Sequence, residues 1–216
     1  MTYKEETWST LQTWLPKLED DTWAQLQKYT ELMREWNEKI NLVSRKNMDA
    51  FEVRHLAHCL AATTFLKLMN RASVLDIGTG GGIPGIPWDI CYPHALLTLV
   101  DSIAKKITVV EDVTNRLGLK NVRVVRGRAE ELPARKTFDF VTGRAVTTIP
   151  RFHGWIRDRL HKGQRNSIEN GILYWKGGDW KNELEDSHLQ PTRVWDAGEI
   201  LPDAGYEEKY ILHFKA

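Results

Sequence analysis

Apolar residues at Trp23, Leu26, Tyr29, Met33, Trp36 and Ile40 recur at spacings of three and four, which puts them on one stripe of a helix. Asp20, Asp21 and Thr22 stand just before it, where N-cap acceptors and favourable negative charge belong. A second helix is expected over 49–70, through Phe51, Leu56, Leu60, Phe65 and Leu68. The aromatic residues of this preface read as helix-packing core rather than as platforms for stacked bases. Beyond residue 70 the rhythm becomes strand, turn, helix. Residues 73–78, 96–101, 122–126, 138–142 and 172–176 read as short strands, and 103–117 as a helix that Gly118 ends. Strands alternating with helices imply a mostly parallel sheet covered on both faces. Residues 193–201 and 206–214, joined by the turn 202–205, read as a closing antiparallel pair, and 161–170 as an exposed polar loop. The expected organisation is a helical extension over 1–70 followed by a Rossmann-like α/β domain over 71–216.

Composition narrows the class without naming it. Of 216 residues, 42% are hydrophobic and 27% charged, which excludes disorder. The start has no apolar leader, and the longest apolar stretch, 95–100, falls far short of the roughly 18 residues a membrane helix needs. Cys59 and Cys91 have no metal-ligand spacing, and a chain of this size needs no disulfide. A reduced, cytoplasmic protein without a metal is expected.

Charge is informative only when divided. The net sum is +1, from 30 Lys+Arg and 29 Asp+Glu. Residues 1–101 carry 10 and 13 (net −3), residues 102–165 carry 15 and 6 (net +9), and residues 166–216 carry 5 and 10 (net −5). A basic block between acidic flanks can bind a polyanion locally, or its charges can cancel in three dimensions.

The strongest local signal is Asp76-Ile-Gly-Thr-Gly-Gly-Gly-Ile-Pro-Gly-Ile-Pro87, at the end of a buried strand. Glycines let the chain turn sharply and let a ligand lie against the backbone. Gly80, Gly82 and Gly85 formally satisfy the G-x-G-x-x-G of a dinucleotide site, but Pro84 interrupts it and offers no amide to a pyrophosphate. An acid two residues before the first glycine of Asp76-x-Gly78-x-Gly80-x-Gly82 instead looks like the first motif of methyltransferases that use S-adenosylmethionine (SAM). Asp101, 23 residues past Gly78, could accept both ribose hydroxyls of either cofactor, so Asp76 tips the balance. A glycine-rich turn with no ligand is the remaining alternative.

The segment after the fourth strand bears on the methyl acceptor. It reads Thr142-Gly-Arg-Ala-Val146, without the Asn/Asp-Pro-Pro-aromatic tetrad of amino-group methylation. Neither Cys59 nor Cys91 is placed to attack a pyrimidine ring, and no base or Lys-centred set for ribose methylation is evident. An acceptor that is already nucleophilic survives. Guanine N7 has a free lone pair and no proton to lose, so placement alone can supply roughly 7–11 kcal/mol in favourable cases.

These segments together resemble the RsmG (GidB) family. The residues are Asp76 to Pro87, Leu99-Val-Asp-Ser-x-x-Lys-Lys106, Arg128-Ala-Glu130, Gly143-Arg-Ala-Val146 and, in the helical preface, Trp36-Asn-x-Lys-Ile-Asn-Leu42. The resemblance spans about residues 30–180. It implies a class I SAM-dependent methyltransferase sheet acting on guanine N7 in the 530 loop of 16S rRNA, alone or in the small ribosomal subunit; a monomer is expected. It implies that Asp76, Gly78, Gly80, Gly82 and Ile83 belong to the SAM pocket, that Asp101 holds the ribose, and that Ala129 and Glu130 flank the adenine. Arg144 is implied as the catalytic residue, near the methionine end and the incoming guanine. Lys105 and Lys106 would face RNA phosphate, and Arg151, Arg157, Arg159 and Arg165 form a further basic patch from which Arg151 and Arg165 are taken as RNA contacts. Two departures stand out: the family's His-x-x-Asp-Ser reads His55-Leu-Ala-His58-Cys59 here, so His55 is read as a packing or hydrogen-bonding residue, and the stretch from Arg151 to Asn170 matches the family only loosely. Two rivals remain to be separated: an NAD-dependent oxidoreductase using Gly80, Gly82 and Gly85, and a ribosome-binding module with a vestigial SAM site.

Overall fold

A computed structural model describes residues 3–135 and 137–216. Seven strands form one sheet in the order β3-β2-β1-β4-β5-β7-β6. They are β1 (Ser73–Ile77), β2 (Leu96–Asp101), β3 (Val122–Arg126), β4 (Phe140–Arg144), β5 (Gly171–Gly177), β6 (Arg193–Asp196) and β7 (Lys209–Lys215). The first five are parallel, and β7 runs antiparallel to both β5 and β6. The chain builds outward from β1 to β3, then returns to the other side of β1 with β4. Between β1 and β4 lies the switch point, where open α/β sheets keep their ligand crevices.

Helices cover both faces. The Asp20–Lys39 helix presents the stripe expected of it, with Trp23, Leu26, Tyr29 and Met33 buried. They join Leu97, Leu99 and Trp175 in one apolar core, so the preface and the sheet share a hydrophobic interior. Trp88 and Trp175 meet edge to face at 5.5 Å, and their indole N–H groups donate to the carbonyls of Cys59 (3.1 Å) and His58 (2.8 Å). Both tryptophans bury large apolar area while satisfying their single donor. Gly118 ends the Ala104–Leu117 helix at φ +69°, with its N–H and that of Leu119 closing the last turn.

Four expected boundaries move, two of them through contacts distant in the chain. The N-cap of the Asp20–Lys39 helix is Glu19, and Asp20 and Asp21 lie in its first turn. The expected 49–70 helix breaks into Arg45–Asp49, a π-helical stretch Glu52–Ala57, and short turns ending at Thr64. Thr63 and Thr64 donate to the carbonyls of Leu60 and Ala61, the local competition that frays helices. Past them the amides of Lys67 and Met69 donate to Ser167 and Asn166, while Phe65 stacks flat on Trp195 at 3.7 Å. β4 starts two residues later than the alternation suggests, because Asp139 turns inward to accept from the Ser73 amide and the Asn170 side chain. The 193–201 strand stops at Asp196, whose carboxylate caps the Ala197–Ile200 turn through Gly198 N–H at 2.8 Å. The 161–170 loop is only partly exposed, since Asn166, Ile168 and Asn170 are buried.

Gly171 illustrates how tightly β5 and β7 meet: a Cβ there would lie 2.1 Å from the Phe214 carbonyl oxygen and 2.9 Å from Lys215 Cα. Gly171→Ala is therefore expected to destabilise by about 1–3 kcal/mol in urea unfolding. Gly118→Ala, which meets open space but keeps a left-handed backbone, should lose only about 1–2 kcal/mol.

Candidate functional site

The glycine-rich turn hangs on Asp76. Its carboxylate is fully buried and accepts from Thr79 Oγ1 (2.6 Å), Thr142 Oγ1 (2.9 Å) and Gly85 N–H (3.1 Å). Burial pushes its pKa up to about 6, against the downward pull of the three hydrogen bonds. One side chain thus joins β1, the turn, the start of the Gly85–Cys91 helix and β4. Gly85 permits this closeness, because a Cβ there would press on Leu99 and sit 3.0 Å from the Asp76 carboxylate.

Beyond the turn, a solvent-open cleft of about 500 Å³ lies over the carboxyl ends of β1, β2 and β3 and the loop after β4. Gly78, Asp101, Ala129, Glu130 and Arg151 all line it, together with Val146, the last residue of the Gly143-Arg-Ala-Val146 segment, and Trp155, for which the sequence offered no signal. Gly78 has φ +67° and stands bare against Val146, where a Cβ would come within 2.8 Å. Asp101 is 6% exposed and is held by two backbone donors, Ile103 N–H (2.9 Å) and Gly80 N–H (3.1 Å). A carboxylate has about four lone-pair sites, so two remain for hydroxyl donors. Arg151 lies over the Trp155 ring at 5.1 Å, forming a cationic rim. The donor set suits a nucleoside: a fixed acid for the ribose, apolar walls from Val100, Val146 and Trp155 for a flat base, and exposed backbone at Gly78 and Gly127.

The other expected pocket residues sit behind this surface. Asp76 acts through the turn, Gly80 is tied to Asp101, Gly82 (φ +90°) fits against Ile86, and Ile83 packs on the main core. The dinucleotide alternative finds no anion nest, because the amides of Gly82, Ile83, Gly85 and Ile86 are engaged by Thr79, Asp76 and Gly82.

Arg144, at the end of β4, faces the helical preface. Its guanidinium donates to the carbonyls of His55 (3.2 Å) and Arg54 (3.4 Å), to Cys59 Sγ (3.3 Å) and to His55 Nδ1. Burial, reinforced by Arg144 and Arg54, pushes the His55 pKa down to about 3, so the ring is neutral and accepts through Nδ1. His58, packed on the Tyr206 ring at 5.2 Å, is likewise pushed down to about 3, and burial pushes the Cys59 thiol up to about 11. These pKa directions leave His55 and His58 neutral and Cys59 a protonated thiol around Arg144.

The basic block divides in space. Lys105 is exposed, while Lys106 leans toward the Asp101 carboxylate at 3.8 Å. Arg159 is buried and donates to the carbonyls of Trp155, Leu132 and Glu130, so it braces the fold rather than joining a surface patch. Arg165 donates to the Asn70 carbonyl, near the amino end of β1 and remote from the cleft. Lys136 lies outside the described residues.

This sheet order, the acid-braced glycine turn and the acid-bearing cleft at the switch point define a SAM-dependent methyltransferase of the Rossmann-like α/β class. The fold matches a solved SAM-dependent methyltransferase from Aquifex aeolicus with TM-score 0.52 and 18% identity, over 70% of this chain and 85% of that one. The family model GidB, rRNA small subunit methyltransferase G, matches residues 22–192. Ribosomal RNA small subunit methyltransferase G of Flavobacterium johnsoniae is 42% identical over 93% of this chain and 94% of its own, and that of Christiangramia forsetii 38% identical over 94% of each. The chain belongs to the GidB family. Among the described residues, no helix is long and apolar enough to cross a membrane.

Two outcomes follow from this geometry. Asp101→Ala should weaken SAM binding at least tenfold by calorimetry while the melting temperature stays within a few degrees. Asp76→Ala should lower both together, and an unchanged melting temperature there would refute its bracing role. Separately, the native state keeps His58 neutral whereas the unfolded chain protonates it near pH 6.5, so this ring's stabilising contribution is lost as pH falls from 6.5 toward 3. The loss is up to about 1.4 kcal/mol per pH unit. His58→Gln should flatten the acid limb of stability against pH, and parallel limbs for both proteins would show that His58 is not buried neutral.

Proposed function

We propose that the protein transfers a methyl group from SAM to N7 of a guanine in the 530 loop of 16S rRNA, acting as a cytoplasmic monomer without a metal. What supports this is the near full-length likeness to proteins named ribosomal RNA small subunit methyltransferase G, together with an acceptor side lined by no carboxylate, where His55 Nδ1 already accepts from Arg144. SAM supplies an electrophilic methyl carbon, whose bond to sulfur breaks with its electron pair left on sulfur as the N7–carbon bond forms. No proton leaves the acceptor, so the chain's task is placement.

In this reading Asp101 accepts from the ribose hydroxyls, and the backbone at Ala129 meets the adenine edge beside Glu130. Gly78 leaves room for the methionine arm, while Asp76, Gly80, Gly82 and Ile83 keep the turn in shape. Trp155 and Val146 exclude water from the adenosine. Arg144 directs its remaining donor capacity to the guanine edge, with the base unstacked from its neighbours. Lys105 and Arg151 contact phosphate on the cleft side, Lys106 shares its charge with Asp101, and Arg165 meets RNA only if the substrate wraps to the far end of the sheet. Residues 1–70, as a helical extension to the domain over 71–216, wall the acceptor side of the site.

Arg144→Ala should keep SAM affinity within about threefold yet lower single-turnover methyl transfer to 16S rRNA by at least a hundredfold. Borohydride–aniline cleavage of rRNA from cells lacking the protein should lose one N7-methylguanosine cut, restored by the wild-type gene alone. An unchanged cleavage pattern would refute the assignment.

A further inference from the structure

On the other side of the β4 end a second cleft opens, of about 1110 Å³. Arg144 lines it, whereas Val146, two residues on, lines the first. Asn47, Arg54 and His55 of the helical preface form one wall, and Tyr206 and Lys209, at the entry to β7, form the other. The walls are joined below the opening, because the Tyr206 hydroxyl donates to the Val53 carbonyl and its ring packs on His58.

The lining includes three cations, Arg54, Arg144 and Lys209, and no carboxylate. Arg54 donates to the neutral Asn47 side chain at 3.0 Å, and Arg144 donates only to neutral acceptors. Among the described residues none of the three forms an ion pair. His58, packed on the Tyr206 ring behind the lining, is neutral and does not compete for the cations. Like charges converging on a cavity repel, and a bound anion relieves that repulsion. Arg in a fork beside Lys as a point charge is a recurrent phosphate-binding pair.

We propose that this second cleft is a nucleotide pocket in which Arg54 and Lys209 bind the phosphate that flanks the acceptor guanosine, leaving Arg144 for the base. The inference rests on the guanine reading of the site. It also explains how a cation can stand beside a base that becomes positively charged on methylation. The phosphate supplies the compensating negative charge. Arg54 and Lys209 come from the acidic flanks of the chain, so this pocket is separate from the basic block over 102–165.

The test is the double variant Arg54→Gln/Lys209→Gln, assayed with SAM and 16S rRNA in the small subunit. The KM for rRNA should rise about tenfold with kcat within threefold and SAM affinity unchanged. The slope of log affinity against log salt, from filter binding of the same rRNA, should become shallower by about 0.7 for the one lost phosphate contact. The charge-retaining pair Arg54→Lys/Lys209→Arg should recover the wild-type slope, which separates lost phosphate binding from lost packing. An unchanged KM and salt slope in the Gln pair, or a slope that the charge-retaining pair fails to restore, would overturn the pocket. Should the wild type transfer no methyl to this RNA, the guanine reading itself fails, and the salt slopes still report on the pocket alone.

Discussion

A single buried carboxylate organises this protein. Asp76 receives hydrogen bonds from the turn that follows β1, from the first amide of the next helix and from the neighbouring strand β4. Removing an ionisable group from water carries a penalty, visible in its raised pKa, and the three donors offset it only while they stay in place. The turn therefore has one low-energy shape. Gly78 and Gly80 adopt left-handed backbone within it, Gly80 hands its amide to Asp101, and Asp101 is thereby aimed across the first cleft. Asp76 braces the turn from beneath, and Asp101, not Asp76, lines the cleft.

The end of β4 divides the site in two. Arg144 and Val146 face different clefts, with Ala145 between them at φ +53°. A non-glycine residue in that region stores on the order of 1–3 kcal/mol. Tyr174 holds the loop by donating to the Thr147 carbonyl at 2.6 Å and accepting its N–H at 3.1 Å. Gly143 makes space for Phe152 and Tyr174 behind it. A donor molecule and an acceptor base can thus approach from separate sides, which suits a transfer that needs alignment but no proton relay.

Charge along the chain and charge in space are different quantities here. The +9 block contains Arg159, which is buried as a brace, and Arg116, which pairs with Glu35 of the Asp20–Lys39 helix. It also contains Arg165, at the far end of the sheet. The second cleft meanwhile draws Arg54 and Lys209 from segments whose sums are negative. Dividing the total by segment exposed a basic region, yet folding decides which of its charges meet.

Periodicity and glycine placement were enough to determine the class of fold. Residues 96–101, 122–126 and 104–117 behave as their local patterns dictate, and the acid-glycine motif marks the turn at the switch point. These features are local: hydrogen bonds within a helix and alternation along a strand depend on neighbours a few residues away. The break of the 49–70 helix and the late start of β4 depend on partners such as Ser167, Asn166, Ser73 and Trp195. The same distance in sequence hides the site. Asp76 and Asp101 are legible as acids at strand ends, but which one faces a ligand depends on where Thr79, Thr142 and Gly85 place their donors. Trp155, Tyr206 and Lys209 carry no motif, and only tertiary packing brings them to the clefts, because residues such as Val53 and Tyr206, 153 positions apart, meet through the fold and not along the chain.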